Sequence, residues 1–85
     1  MYKTTLTING MACSMCENHI NETVRKAVPG VRKVTSSHKK NRTEILSDEI
    51  PDEVTLRAAI AATGYDMTAY HTESYARKGF SLFGR

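Results

Sequence analysis

Residues 10–16 read Gly10-Met11-Ala12-Cys13-Ser14-Met15-Cys16, and both cysteines of the 85-residue chain lie in this stretch. What flanks them decides the fold. Upstream, residues 2–9 alternate, with Leu6 and Ile8 on one side and Lys3, Thr5 and Thr7 on the other, which is the pattern of a half-buried strand. Downstream, Ser14 and Glu17 have the S-x-x-E spacing of a capping box and predict a helix beginning at Ser14. Ile20, Val24, Ala27 and Val28 follow at helical spacing. Arg25 and Lys26 suit the negative end of the helix dipole, and Pro29-Gly30 stops the helix.

Working outward, Val31 and Val34 open a second strand that runs to about Ser37. Residues 38–42, HKKNR, form a polar turn, and residues 43–47, TEILS, a short third strand, so the pair reads as a hairpin. Pro51 and Asp52 precede a second helix, with Asp52 as its cap and Leu56, Ala59, Ile60 and Thr63 on its apolar face. Gly64 suits the left-handed residue just past the helix end. Residues 67–72, MTAYHT, give a last strand. The order βαββαβ predicts an α+β, ferredoxin-like sandwich: a four-stranded antiparallel sheet with two helices on one face. That topology gathers Cys13, Cys16, residues 38–42 and Tyr65 at one end, and places Pro29 and Pro51 at the other.

Size and charge narrow the function. Eighty-five residues make one small domain, expected at 1–72, with 73–85 as a flexible C-terminal tail. Hydrophobic residues are 40% of the chain and charged residues 25%, ordinary for a soluble globular protein. No run approaches a membrane span, and the first ten residues lack the pattern of a secretory signal, so the expected location is the cytoplasm, where thiols stay reduced. The net charge is +3, and residues 73–85 contribute two of those charges through Arg77, Lys78 and Arg85 against Glu73. A nucleic-acid-binding domain needs a basic face, and the second and third strands carry no aromatic residues for stacking on RNA, so nucleic acid is not an expected partner.

A thiolate is the metal-binding form of cysteine. Cys16 falls in the first helical turn, where free N–H groups and the positive dipole end favour negative charge, and the lysines of the neighbouring turn add to this. Two thiolates suit a soft ion that accepts low coordination, with Cu(I) foremost. A structural zinc site normally takes four protein ligands, and this loop supplies two. His19 and His38 are candidate third ligands, although lone surface histidines are more often simply solvated.

At these residues the chain resembles the heavy-metal-associated domains, which include copper chaperones and the N-terminal modules of metal-pumping ATPases. GMACSMC is similar to the family's G-M-x-C-x-x-C motif, VPGVRKV (28–34) to the loop after its first helix, and LRAAIAATGYD (56–66) to its second helix and final loop. The resemblance covers residues 4–70. It implies the ferredoxin-like fold, Cys13 and Cys16 as metal ligands, Met11 buried beneath the loop, and transfer of the ion to a partner domain by thiolate exchange. A metal-transporting P-type ATPase or another metal-binding domain is the implied partner, and two facing loops permit a metal-bridged homodimer. Tyr65 matches a position near the metal in bacterial relatives. Alanine at position 12, where aspartate would suit a harder ion, favours copper. Ser36 replaces a common apolar strand residue and predicts looser packing of the sheet there.

Other uses of the same residues compete. Zn(II), Cd(II) or Hg(II) could occupy the site in place of Cu(I). A glutaredoxin-like thiol-disulfide oxidoreductase also carries CxxC at a helix N-terminus, but that fold sets a proline opposite the thiols, and both prolines here belong at the far end. The HKKNR turn reads as a solvated hairpin tip, or else as a positive collar steering an acidic partner. Met15 reads as an exposed loop residue. The tail, with Tyr75, Phe80, Leu82 and Phe83 among basic residues, reads as a disordered terminus.

Overall fold

The computed structural model describes residues 1–75. The elements follow in the expected order: β1 (Tyr2–Asn9), α1 (Ser14–Ala27), β2 (Val31–Ser37), β3 (Arg42–Ser47), α2 (Glu53–Ala62) and β4 (Asp66–Ser74). The strands form one antiparallel sheet in the order β2-β3-β1-β4, and both helices cover one face, packing on each other and on β2 and β4. The strand expected at 67–72 extends to Ser74, and the Tyr75 N–H donates to the Met1 carbonyl at 3.0 Å. The rest of the tail, residues 76–85, lies outside the described residues.

Alternation in β1 buries Thr4, Leu6 and Ile8 between sheet and helices. Ile20 and Val24 of α1, Leu56 and Ile60 of α2, Val34, Ile45 and Met67 meet them there. A register shift between Thr7 and Ile8 in the β1–β4 ladder brings Met67, rather than Thr68, to the inner face. Such a bulge adds one residue to one strand and re-aims the side chains beyond it.

Ser36 does not loosen the sheet. Its hydroxyl donates to Asn21 Oδ1 of α1 at 2.6 Å and lies 2.9 Å from the hydroxyl of the fully buried Thr43. Thr4 and Thr72 pair their hydroxyls at 3.0 Å. These pairs satisfy polar groups that would otherwise be costly inside the sandwich.

At the end away from the cysteines, Val28 closes α1 and precedes Pro29, which disfavours helical backbone in the residue before it. The Tyr70 hydroxyl donates to the Pro51 carbonyl at 2.6 Å. Asp52 caps α2 as expected, accepting from the Thr55 N–H at 2.9 Å and the Thr55 hydroxyl at 2.7 Å.

Truncating a side chain in this single core leaves a cavity that a small domain cannot collapse. Ile60→Ala should lower stability by about 2–5 kcal/mol in urea unfolding, while Val54→Ala, on the exposed side of the same helix, should stay within about 0.5 kcal/mol of the parent.

Candidate metal centre

Three short segments converge at one end of the sandwich: the 10–13 loop, the 38–41 turn and the 63–65 loop. The Ile8 N–H donates to the Asn41 carbonyl at 2.9 Å, which ties the hairpin turn to the end of β1. Helix α2 ends with paired hydrogen bonds, Gly64 N–H to the Ala61 carbonyl at 3.0 Å and Tyr65 N–H to the Ile60 carbonyl at 3.4 Å. With Gly64 at φ +97° this is the Schellman closure, and it turns the chain so that Tyr65 meets the cysteine loop. Gly10 sits at φ +106°, and a Cβ there would stand 3.1 Å from Tyr65 Cδ1. Glycine at position 10 therefore permits both the backbone turn and the close approach of the tyrosine ring.

Helix α1 begins at Ser14 as expected, but the capping box does not form. Cys13 is the N-cap, in extended conformation and without a side-chain cap hydrogen bond. Its carbonyl accepts from the Cys16 N–H at 3.1 Å and the Glu17 N–H at 3.2 Å. The carboxylate of Glu17 turns instead to the hairpin, where its Oε2 accepts from the His38 N–H at 2.8 Å and lies 2.6 Å from His38 Nδ1. A long-range hydrogen-bonded clasp outcompetes the local cap because it satisfies a turn N–H and meets an imidazole together. It holds the Glu17 carboxyl below its ordinary range, first through the His38 N–H, then through the His38 ring, with Lys39 adding a smaller attraction. The clasp is therefore complete above the usual glutamate range and weakens as pH falls through the depressed value.

The cysteine sulfurs lie 3.6 Å apart. Both are free thiols, Cys13 exposed and Cys16 half-buried. That separation far exceeds the ~2.05 Å of a disulfide bond. Taking the zinc–thiolate bond of about 2.3 Å as a guide, two sulfurs on opposite sides of one ion stand about 4.6 Å apart, so a collinear arrangement requires the loop to open by about 1 Å. Met11 is buried beneath the loop at 5% exposure, in the position that the resemblance implies.

The Cys16 thiol is pushed down to about 7. The Tyr65 hydroxyl is the largest cause, followed by the Ala12 N–H and the Cys13 side chain, against an opposing effect of partial burial. In return, the Tyr65 phenol is raised by its interaction with Cys16. The sequence points to the helix terminus and the hairpin lysines as the source of acidity, whereas the dominant group is a tyrosine delivered from the far end of α2.

The two candidate histidines are otherwise engaged. His38 is held by Glu17, and the ring of His19 packs edge-on to Tyr65 with centroids 6.0 Å apart. Among the described residues, no third His, Cys, Asp or Glu joins a group that could hold a metal ion. Lys39 and Lys40 are exposed at the hairpin tip.

Residues 5–66 match the heavy-metal-associated domain. The chain belongs to that family. Over 62 residues, or 73% of this chain, it is 37% identical to mercuric reductase of Serratia marcescens, and the match spans only 13% of that protein's length. The yeast copper transporter domain Ccc2a, studied in its apo and Cu(I)-loaded states, is 28% identical, with a TM-score of 0.67 over 79% of this chain and 92% of that one. Oxidized MerP from Ralstonia metallidurans CH34 is 27% identical, with a TM-score of 0.65 over 80% of this chain and 96% of that one. The metals in these names differ, so the family establishes heavy-metal binding without choosing the ion.

Replacing Tyr65 by phenylalanine removes the hydroxyl that does most to lower the Cys16 thiol. Its thiol pKa should rise from about 7 towards the ordinary cysteine value, seen as an alkaline shift in the pH profile of Cys16 alkylation by iodoacetamide. Gly10→Ala should shift the profile the same way by displacing the tyrosine ring, with a loss of stability that Tyr65→Phe does not share.

Proposed function

We propose that this domain is a non-enzymatic metallochaperone or metal-binding module. It binds Cu(I) through Cys13 and Cys16 and passes it to a partner domain by thiolate exchange. The observation that carries the reading is the pair of free sulfurs 3.6 Å apart on the open first turn of α1. Thiolate is the form that binds metal, and a thiol poised near 7 supplies it at neutral pH. The two sulfurs match the low coordination of a soft monovalent ion and fall short of the four ligands of a structural zinc site.

Transfer follows from that incomplete coordination. An incoming partner thiolate adds to the open side of the ion, a metal–sulfur bond to one of the two cysteines then breaks, and the freed thiolate takes up a proton. A second such step completes the handover with the ion's oxidation state unchanged. Cys13, exposed and at the helix cap, is the first to be exchanged; Cys16, half-buried beside Tyr65, is the last to let go. The partner in this reading is a domain of a metal-transporting P-type ATPase or another metal-binding domain, met in the cytoplasm, and a metal-bridged homodimer uses the same open coordination. No helix among the described residues is long and apolar enough to cross a membrane.

A second reading has specific support. The 37% identity to a mercuric reductase favours Hg(II), which is equally at home between two thiolates. The thiol-disulfide oxidoreductase reading has less, since both prolines lie at the end opposite the sulfurs.

An anaerobic competition titration against a chromophoric chelator, run in parallel with Cu(I), Hg(II) and Zn(II), separates these readings. One Cu(I) per chain should bind tightly, with binding lost in Cys13→Ser and in Cys16→Ser, and Zn(II) should bind far more weakly. A preference for Hg(II) would move the assignment to the second reading. Equal binding by the serine variants would refute both.

A further inference from the structure

A groove of about 350 Å³ opens at the end of the sandwich opposite the sulfurs, between the close of α1 and the start of α2. Val28, Pro29, Ile50 and Pro51 make it apolar, and Ile50 is 57% exposed there. Among the described residues, the only charged groups that line it are Glu49 and Asp52. Asp52 uses one carboxylate oxygen on Thr55, and Glu49 has no ion-pair partner among the described residues. The cations nearest in sequence do not line the groove: Arg25 and Lys26 lie in the last turn of α1, and Arg32 is paired with Asp48 at 3.0 Å.

Strand β4 delivers the chain to this same end. The Tyr70 hydroxyl donates at 2.6 Å to the carbonyl of Pro51 in the groove wall, and Tyr75 closes the ladder against Met1. Residues 76–85, ARKGFSLFGR, follow and lie outside the described residues. They hold both phenylalanines of the chain, Phe80 and Phe83, with Leu82 between them, and the cations Arg77, Lys78 and Arg85 with no acid. At ~3.4 Å per residue of strand, Tyr70 stands ~17 Å back from Tyr75, and Phe80 is tethered within ~17 Å beyond it. Phe80 can therefore reach the level of Pro51 by doubling back, and Leu82 and Phe83 can reach farther across the groove.

We infer that residues 76–85 fold back onto this groove in the same molecule. Phe80, Leu82 and Phe83 seat against Val28, Ile50 and Pro51, the basic residues face Glu49 and Asp52, and the segment ties α1 to α2 at the end away from the metal. Apolar burial drives the contact and charge selects the place. The open face of the sheet offers a smaller hollow of about 160 Å³, which Tyr75 also lines. That hollow carries Lys3 and Lys33 beside Glu44, and the Glu44 carboxylate is already shared by Lys3 at 3.9 Å and Arg42 at 3.6 Å. A segment bearing cations and no acid is repelled there and attracted to the acidic rim of the larger groove.

Chymotrypsin cleavage after Phe80, followed by mass spectrometry on the intact reduced protein, reads the seating, because a side chain held in the groove is withheld from the protease until it leaves. Ile50→Ser and Glu49→Lys, both at exposed positions, should each speed cleavage about tenfold, as loss of one anchor of a small contact does. Leu46→Ser, in the hollow on the sheet, should leave the rate within about twofold. In the parent, the ring protons of Phe80 and Phe83 should show nuclear Overhauser contacts to the Ile50 methyl groups at every protein concentration. Parent-like cleavage of both groove variants would leave the groove empty. Faster cleavage of Leu46→Ser would move the segment to the sheet, and contacts that grow with concentration would put it on a second copy. Each of these three results would overturn the inference.

Discussion

Two sulfur atoms seated on the unfilled first turn of α1 are the constraint from which the rest of the metal end follows. Cys13 caps α1 without a side-chain hydrogen bond, and the positive end of the helix is left to stabilise negative charge. The sulfurs are close enough to interact and too far apart to be bonded. They form a close pair of soft donors on a turn where negative charge is favoured, the basis of the proposed two-sulfur site.

The fold supports this pair through contacts from three directions. Helix α2 terminates so that the Tyr65 ring lies against Gly10, which leaves room for it, and the Tyr65 hydroxyl favours the Cys16 thiolate. The hairpin holds Glu17 through His38. A capping carboxylate at the helix start would bring a negative charge to the turn that bears the sulfurs, and diverting Glu17 to the hairpin places that charge on the far flank. Met11 is buried beneath the loop. Cys13 is exposed and Cys16 half-buried, the asymmetry on which the proposed order of exchange rests.

Much of this was legible in the chain because its signals are local. Alternation in β1, the apolar stripe of α1, Asp52 at the start of α2 and Gly64 at its end each act within a few residues, and together they define the ferredoxin-like order and the end to which the cysteines belong. Legibility failed where distant groups compete for one side chain. Glu17 has the spacing of a capping residue, and only the folded sheet brings His38, 21 residues away, close enough to claim it. Ser36 looked like a packing defect because its partners, Asn21 and Thr43, come from a helix and a neighbouring strand. The role of Tyr65 in the acidity of Cys16 was hidden for the same reason. Choice of metal stays least legible, since thiolates favour soft ions as a class, and the chain covers only 13% of the mercuric reductase to which it is similar.

X-ray absorption at the copper edge of the protein loaded with one equivalent of Cu(I) addresses the central claim most directly. Two sulfur neighbours at a single short distance, with no nitrogen or oxygen in the first shell, are the expected result for an ion held by Cys13 and Cys16 alone. A first shell containing nitrogen or oxygen, or one left unchanged when either cysteine is replaced, would contradict it.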